Sequence, residues 1–226
     1  MTSESPVFRS IGISRLRIVN DGAGVTTLVA GFGCPLRCRY CLNPQCFESP
    51  GPVRTYGLSE LLDEVKIDDL YFQATGGGIV FGGGEPLLQA DFIHAFRKIC
   101  PPEWKIGLES SLSTPPDLLK KVISDIDYYL IDIKDMNPEI YRAYTGIQNT
   151  NTVLNLKNLI SRVDPSNITI RLPLIPEFNT DEDRLQSRKA LEEMGFTTFD
   201  EFRYNVEIAE TKKESIGCRR KERPTE

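Results

Sequence analysis

Short apolar segments alternate with helix-length stretches along most of this 226-residue chain, and few folds accommodate that order. Nearly continuous apolar runs are typical of strands that are buried on both faces of a parallel sheet. Helix-length connections between such strands favour right-handed crossovers that wind in one direction. Six strands are predicted, at residues 25–32, 78–83, 105–110, 128–134, 167–176 and 199–205. We therefore expect an α/β fold whose sheet forms a barrel or part of one.

Polar and small residues collect where the predicted strands end. A cysteine-rich loop follows the first strand, and Gly82–Glu85 end the second. Glu109 and Ser110 end the third strand, and Asp132–Met136 follow the fourth. Because the carboxyl ends of parallel strands meet at one edge of a barrel, these segments are expected to form one site.

The stretches between the strands have amphipathic patterns, and the chain length fits one domain. Helices are predicted over residues 58–72, 90–99, 116–126, 151–163 and 181–194. We place the domain at residues 1–206. Residues 207–226 carry many charges and few apolar side chains, so this tail is expected to stay outside the core, either disordered or touching a partner.

Composition and charge exclude several classes of protein. No apolar run reaches the ~18 residues of a membrane span, and the N-terminus lacks the apolar region of a signal peptide, so a cytoplasmic protein is expected. A net charge of −5 argues against general nucleic-acid binding. In a reducing compartment, clustered cysteines indicate a metal or redox site rather than disulfides.

Four of the six cysteines lie in the loop GFGCPLRCRYCLNPQCF, residues 31–47. Cys34, Cys38 and Cys41 have the spacing C-x3-C-x2-C, which can direct three thiolates at one compact centre. Soft thiolates select zinc, copper(I) or iron–sulfur chemistry. Two interpretations remain open: a closed zinc site with Cys46 as fourth ligand, or a four-iron cluster with one iron open to another ligand.

The cysteine loop resembles the radical S-adenosylmethionine superfamily, whose hallmark is C-x3-C-x-aromatic-C, with Tyr40 as the aromatic residue. The resemblance implies a partial (β/α)6 TIM-like barrel. It also implies that Cys34, Cys38 and Cys41 are the catalytic metal ligands of one [4Fe–4S] cluster. S-adenosylmethionine would chelate the open iron, and its reductive cleavage would yield a 5′-deoxyadenosyl radical.

Three further segments support this resemblance and point to one branch of the superfamily. Gly83-Gly84-Glu85-Pro86 resembles the GGE-P motif. YLIDIKDMNPEIYRAYTG, residues 129–146, resembles the D-x-K-x-M-N segment of the activating enzymes of glycyl radical enzymes, such as the pyruvate formate-lyase activating enzyme. DGAGVTTLVAGFGCP, residues 21–35, is similar to the D-G-P-G-I-R segment of that branch.

The resemblance implies a role for each matching position. The methionyl end of the cofactor would be held by Gly83, Gly84 and Glu85. The rest of its pocket would be lined by Glu109, Ser110, Asp132, Lys134, Arg171 and Asn205. The substrate glycine would be approached by Asp21 and Tyr40. The resemblance also implies a catalytic role for Lys134 and a contact with the cofactor for Tyr40. Asn205 stands where the type enzyme has a histidine near the adenine.

Several positions differ from the pattern of this branch. The type enzyme surrounds a monovalent cation with an acidic residue after the third strand and the D-x-K aspartate, and this chain has Glu109 with Ser110 where Asp-Thr is usual. Ala23 replaces the proline of D-G-P-G, and Leu42 replaces the histidine that often follows the third cysteine. No cysteine lies between Cys46 and residue 76, so a single cluster is expected.

The resemblance thus implies a radical S-adenosylmethionine oxidoreductase that abstracts a glycine Cα hydrogen to activate a glycyl radical enzyme. The implied partners are that enzyme and a flavodoxin or ferredoxin-type electron donor, and the chain is expected to be a monomer. One alternative keeps the chemistry but modifies a peptide or a small metabolite. Another is a non-catalytic zinc-binding adaptor.

Overall fold

Eight strands form one mixed sheet in the computed structural model, which describes residues 5–18, 21–22, 24–47, 53–208 and 211. The strands are β1 (Phe8–Arg17), β2 (Thr26–Gly31), β3 (Arg54–Tyr56), β4 (Gly78–Gly83), β5 (Lys105–Ser110), β6 (Tyr128–Asp132), β7 (Ile168–Leu174) and β8 (Thr198–Arg203). Their order across the sheet is β3-β1-β2-β4-β5-β6-β7-β8.

Seven α-helices accompany these strands within the described ranges. They are α1 (Leu58–Lys66), α2 (Asp69–Thr75), α3 (Ala90–Arg97), α4 (Pro116–Val122), α5 (Pro138–Thr145), α6 (Thr150–Ile160) and α7 (Asp181–Glu193). Short 3₁₀ turns lie at Pro44–Phe47, Pro86–Gln89 and Pro165–Asn167. None of the described helices combines the length and apolar character that a bilayer crossing requires.

The strands β2, β4, β5, β6, β7 and β8 run parallel, which confirms the six predicted strands and the α/β fold class. Gly31 pairs with Gly83, and Asp132 pairs with Arg171, so neighbouring strands end side by side at one edge. Among the described strands, β8 pairs with β7 alone and β3 with β1 alone. The sheet therefore stays open, as a partial barrel does.

The single helix predicted over residues 58–72 is wrong, because two helices, α1 and α2, meet there. Asp68 lies between them and is 4% exposed. Its Oδ2 accepts hydrogen bonds from Arg15 Nη1 at 2.8 Å and Thr27 Oγ1 at 2.7 Å. These bonds tie the junction to β1 and β2, and the chain turns where the carboxylate is held.

Strands β1 and β3 and helix α5 were not predicted from the apolar pattern. β1 buries few of its residues and those alternate with more exposed ones, so it lacks a continuous apolar run. α5 begins with Pro138 in its first turn, and the Asn137 side chain accepts the Glu139 N–H at 2.9 Å, as is common at helix starts. Both β1 and α5 contribute to the site described below.

Aromatic side chains join the first strands to α3. Phe8, Phe81, Phe92 and Phe96 pack with ring centroids 5.4–6.0 Å apart. All four are essentially fully buried. This cluster fixes β1 and β4 against α3, and so fixes the sheet edge near the cysteine loop.

Two sequence-based expectations fall on residues that the structure does not describe. Of the charged tail at 207–226, only residues 207, 208 and 211 are described. Ala23, which replaces the proline of the D-G-P-G segment, also lies outside the described residues.

Alanine at Gly78 is expected to lower the free energy of unfolding by about 3 kcal/mol. Its Cβ would stand 2.1 Å from the Lys105 carbonyl oxygen of the paired strand, and backbone in mid-sheet has no room to move. The control Gly57→Ala, whose Cβ would meet only the flexible Glu60 carboxylate at 3.5 Å, is expected to cost about 1 kcal/mol or less. Urea unfolding followed by circular dichroism measures both, and equal midpoints would contradict this account.

Candidate active site

A cavity of about 470 Å³ opens at the carboxyl edge of the parallel strands. Its walls come from the cysteine loop, the ends of β1 and β4 to β7, and one face of β8. Ten of the predicted site residues line it: Cys34, Cys38, Cys41, Gly83, Gly84, Glu109, Ser110, Asp132, Lys134 and Arg171. The structure thus brings together residues from separate strand ends, and their individual roles stay predictions.

Helix α5 holds the cysteine loop in place. The Arg37 N–H donates to the Thr145 carbonyl at 2.8 Å, and the Arg39 N–H donates to the Tyr144 carbonyl at 3.0 Å. The Arg37 side chain turns back to the loop, where Nη1 donates to the Cys34 carbonyl at 2.6 Å. The chain's own backbone therefore shapes the loop that carries the three thiols.

Burial controls the protonation of two of these thiols, Cys34 and Cys38. Burial, reinforced by the Glu85 charge, raises the pKa of Cys34 to about 12. Burial also raises the pKa of Cys38 to about 11, although the Lys134 ammonium opposes it. The thiols of Cys34 and Cys38 accordingly keep their protons at neutral pH unless a bound metal stabilises the thiolate form.

The donor set fits a four-iron cluster held by three cysteines. Three soft sulfur donors face one cavity, and the fourth thiol of the loop, Cys46, is buried and does not line it. For a single metal ion, as distinct from a cluster, no group of three or more cysteine, histidine or acidic side chains is found among the described residues.

The glycine-rich turn after β4 lies directly against the start of the cysteine loop. The Gly84 N–H donates to the Gly31 carbonyl at 3.0 Å, and the Glu85 N–H donates to the Gly33 carbonyl at 2.7 Å. A Cβ on Gly84 would stand 2.3 Å from the Gly33 oxygen. Gly83 has a φ of +89°, and its Cβ would meet the Ala30 Cβ at 2.5 Å. Only glycine fits at these two positions, and bare backbone borders the cavity there.

The Glu85 side chain is fully buried and joins the end of β4 to the end of β5. It accepts hydrogen bonds from Ser110 Oγ at 2.7 Å, Ser111 Oγ at 2.7 Å, Ser111 N at 3.0 Å and Leu87 N at 3.3 Å. Burial raises the pKa of Glu85, and these hydrogen bonds oppose the rise. Glu85 does not line the cavity, so its contact with the methionyl end of a cofactor stays a prediction.

Ionised side chains pair across the cavity wall. Arg171 lies between two carboxylates, with Nη2 at 2.7 Å from Glu109 Oε1 and Nε at 3.1 Å from Asp132 Oδ1. Lys134 Nζ is 3.5 Å from Asp132 Oδ2. Burial acts to raise the pKa of Asp132, but Lys134 and Arg171 outweigh it and the pKa is lowered. For Glu109, burial prevails over Arg171 and raises the pKa.

Arg171 supplies a positive charge between the two acidic side chains that the resemblance associates with a monovalent cation. Its ion pairs with Glu109 and Asp132 draw both carboxylates to one guanidinium. The Oε2 atom of Glu109 is buried and has no hydrogen-bond partner among the described residues. The Glu109 Oε2 atom is therefore a hydrogen-bond acceptor that the side chains of the cavity wall do not satisfy.

Asp21 is buried beside the cavity rather than on its surface, and its contact with a substrate glycine stays a prediction. It is 2% exposed, and Arg17 Nε lies 2.5 Å from its Oδ2. Burial raises the pKa of Asp21, which Arg17 and Arg171 oppose. Arg17 lines the cavity, and sequence reasoning missed it because β1 was not predicted.

Tyr40 anchors the cysteine loop to the segment after β7. It is 3% exposed, and its hydroxyl donates to Glu177 Oε2 at 2.8 Å. Its ring packs on Tyr204 and Phe178, with centroids 6.3 Å and 5.9 Å away. Tyr40 does not line the cavity, so its place beside cofactor and substrate stays a prediction.

Asn205 is exposed and lies outside the cavity lining, and its contact with the adenine stays a prediction. The neighbouring positions that line the cavity are Asp200, Phe202 and Tyr204, which alternate along and just beyond β8. Side chains of a strand point alternately to its two faces, so a residue next to Tyr204 faces away. That alternation is a signal from which Asp200 and Phe202 could have been found.

The match to the radical SAM superfamily model covers residues 28–191, which is most of the chain. The chain therefore belongs to the radical SAM superfamily, and the family implies a [4Fe–4S] cluster and S-adenosylmethionine as its cofactors. The family favours the iron–sulfur interpretation of the cysteine loop over the zinc-binding adaptor.

The relatives of this chain are named as activating enzymes. The (2S)-3-sulfopropanediol dehydratase activating enzyme of Klebsiella oxytoca is 28% identical, over 82% of this chain and 77% of that protein. The 4-hydroxyphenylacetate decarboxylase activating enzyme of Clostridioides difficile strain 630 is 27% identical, over 74% and 72%. The pyruvate formate-lyase 1-activating enzyme of Escherichia coli K12 is 28% identical, over 72% and 66%.

Solved structures show the same fold at low sequence identity. SuiB of Streptococcus suis, bound to precursor peptide SuiA, has a TM-score of 0.62 at 10% identity, covering 79% of this chain and 38% of that one. The protein anSMEcpe with bound AdoMet has a TM-score of 0.51 at 20% identity, covering 77% and 50%. The chain thus spans half or less of these two structures, and the likeness confirms the radical SAM partial barrel.

The substitution Glu85→Gln is expected to lower the free energy of unfolding by about 2 kcal/mol. In either orientation a glutamine amide would turn its NH₂ donor toward a backbone N–H, that of Ser111 or that of Leu87, which leaves a buried polar group unsatisfied. The control Glu103→Gln, at an exposed position, is expected to change stability by less than about 0.5 kcal/mol. Urea unfolding measures both, and a Glu85→Gln variant as stable as the control would contradict this role.

Affinity for S-adenosylmethionine is expected to be the same in sodium, potassium and tetramethylammonium chloride, because Arg171 already lies between Glu109 and Asp132. Arg171→Ala leaves both carboxylates without that guanidinium and is expected to weaken binding about tenfold or more. Equilibrium dialysis on anaerobically reconstituted protein measures this, with the exposed Arg162→Ala as control. A wild-type protein that requires one particular cation would contradict it.

Proposed function

We propose that this chain activates a glycyl radical enzyme by abstracting a Cα hydrogen atom from one glycine of that partner. The observation that carries the proposal is its similarity, at 27–28% identity, to activating enzymes named for three different partner enzymes. Each alignment covers at least 72% of this chain. All three names describe the activation of another enzyme, and we assign that task to this chain.

The open side of the sheet supports a macromolecular substrate. The two outer strands of the sheet, β3 and β8, are not paired with each other in the described structure, and β8 lines the cavity. Arg17 lines it from β1, and Asp200 and Phe202 line it from β8. A gap between two strand edges admits a polypeptide loop from the side, and the glycine must reach the inside of the cavity to react.

The proposed task of the protein is to bind and orient the cofactors and the substrate glycine, and to exclude water. The cluster and S-adenosylmethionine, when bound, supply the hydrogen-abstracting radical chemistry. Cys34, Cys38 and Cys41 would hold the cluster, and Gly83 and Gly84 would let the cofactor approach the backbone closely.

Charged groups of the wall would orient the polar parts of the cofactor. Lys134 and Arg171 are suited to carboxylate and hydroxyl groups, and Asp132 fixes both cations by ion pairs. Tyr128 fills the barrel interior near Asp21, since a Cβ on Gly22 or Gly107 would lie 2.5 Å from its ring. This packing would keep water from entering the cavity from the side where the parallel strands begin.

A flavodoxin or ferredoxin-type protein would reduce the cluster, and the chain would act as a cytoplasmic monomer. Exposed Arg37 and Arg39 on the cysteine loop suit an acidic donor. Residues 1–206 would form the catalytic domain, with the tail at 207–226 outside it.

Activation is expected to produce a glycine-centred EPR doublet on the cognate glycyl radical enzyme. The assay combines anaerobically reconstituted protein, S-adenosylmethionine, a reductant and each candidate partner, and it measures 5′-deoxyadenosine in parallel. Cys38→Ala is expected to abolish both signals, because the cluster loses one of three ligands. Replacing the reactive glycine of the partner by alanine is expected to abolish the doublet alone.

The two readouts distinguish the cleavage of S-adenosylmethionine from the reaction with a glycyl radical enzyme. Formation of 5′-deoxyadenosine without a doublet on any candidate would contradict the activating function while leaving the radical SAM chemistry intact. A peptide or a small metabolite would then be the substrate to test.

A further inference from the structure

The outer edge of β8 has no strand partner among the described residues. β8 pairs with β7 alone, in one unbroken parallel register along its whole length. The Tyr204 N–H donates to the Leu174 carbonyl at 2.9 Å, so the backbone at Tyr204 faces β7. Because backbone groups alternate between the two sides of a strand, the N–H and C=O groups of Phe199, Glu201 and Arg203 face the open side. Three donors and three acceptors therefore lie in a row along this edge.

The same strand forms part of the rim of the cavity. Asp200, Phe202 and Tyr204 line the cavity, because alternate side chains of a strand share one face. The Tyr204 hydroxyl donates to the Tyr40 carbonyl, and the two rings stack with centroids 6.3 Å apart. Tyr40 lies between the second and third cysteines of the motif in the sequence. The free edge of β8 therefore ends beside the cysteine loop.

Helix α7 holds two side chains from the other face of β8. The Arg188 guanidinium pairs with Glu201 and lies over the Phe199 ring, 4.6 Å from its centroid. Arg184 Nε is 3.7 Å from Glu201 Oε2. These contacts draw the Phe199 and Glu201 side chains toward the helix, over the face of the sheet. The backbone groups of the edge are consequently not covered by these two side chains.

The opposite edge of the sheet is built differently. There β3 has only three residues, and β1 shifts its register against β2 at two places. Short edge strands and bulges are features that discourage pairing with another chain. β8 has six residues, no proline and an unbroken register. Of the two outer strands, β8 is therefore the one whose backbone can pair with a further strand.

We propose that the segment of the partner enzyme that carries the reactive glycine binds as an added strand along the free edge of β8. The inference rests on the proposed activating function and names the surface that this function uses. An extended polypeptide carries N–H and C=O groups at the spacing of this edge, and main-chain hydrogen bonds supply the affinity in this mode of recognition.

The place of the edge at the rim connects binding with the reaction. The added strand runs along the rim toward the cysteine loop, and its alternate residues face the cavity as Asp200 and Phe202 do. A glycine at such a position turns a Cα hydrogen into the cavity, where any other residue would turn its side chain. Strand addition to β8 therefore presents the bond that the proposed reaction breaks.

The test removes one N–H of the free edge without changing the pairing of β8 with β7. Arg203→Pro does so, because proline is tolerated on an edge strand where the N–H faces away from the sheet. Arg203→Ala is the matched control, since it loses the same guanidinium but keeps the N–H. Both variants are reconstituted anaerobically, and the rate of doublet formation is measured against the concentration of the glycyl radical enzyme that the wild type activates.

Arg203→Pro is expected to raise the KM for the partner enzyme about tenfold relative to Arg203→Ala, because a carbonyl of the added strand loses its donor. Without the partner, the two variants are expected to form 5′-deoxyadenosine at equal rates, since the edge does not hold the cofactor. Equal KM values overturn the role of the edge and leave the activating function intact. No doublet from the wild type with any candidate partner overturns both.

Hydrogen exchange keeps the inference testable if Arg203→Pro does not fold. In the wild type, the amides of Phe199, Glu201 and Arg203 are expected to exchange freely and to slow at least about tenfold when the partner enzyme is added. Mass spectrometry with residue-level fragmentation measures this. Unchanged exchange at saturating partner overturns the proposal. Protection in the isolated protein also overturns it, because the tail at 207–226, or a second copy if protection rises with concentration, would then occupy the edge.

Discussion

Two backbone hydrogen bonds join the glycine-rich turn to the cysteine loop, and the geometry of the cavity depends on them. They run from the N–H groups of Gly84 and Glu85 to the carbonyls of Gly31 and Gly33. They continue the pairing of β2 with β4 beyond the ends of both strands. A side chain at position 84 would collide with the Gly33 oxygen, so this close approach requires glycine. The thiols and the polar ends of the later strands consequently face one space.

Buried charge is the second constraint on the site. Three of the acids in or beside the wall have a base within about 3.5 Å: Asp21 with Arg17, Glu109 with Arg171, and Asp132 with Arg171 and Lys134. Removing charges from water is costly, and pairing offsets that cost without guaranteeing a net gain in stability. Such pairs do hold long side chains in one orientation, which a cofactor site requires.

Continuous apolar runs made β2, β4, β5 and β6 predictable, because strands buried on both faces need no alternation. β1 escaped prediction for the opposite reason, since it buries few residues and lies beside a three-residue edge strand. The break between α1 and α2 depends on Asp68 reaching Arg15 and Thr27, residues 53 and 41 positions away. No local pattern contains that information.

The sequence by itself determined the donor chemistry of the site and the strand ends where it lies, because both follow from local spacing and from the order of apolar runs. Tertiary structure alone decided which groups touch. Glu85 turns to serines 25 and 26 residues away, and Tyr40 bonds Glu177, 137 residues away. Arg171 lies between two carboxylates from neighbouring strands. These contacts depend on how distant segments pack around one cavity, and spacing along the chain does not specify that packing.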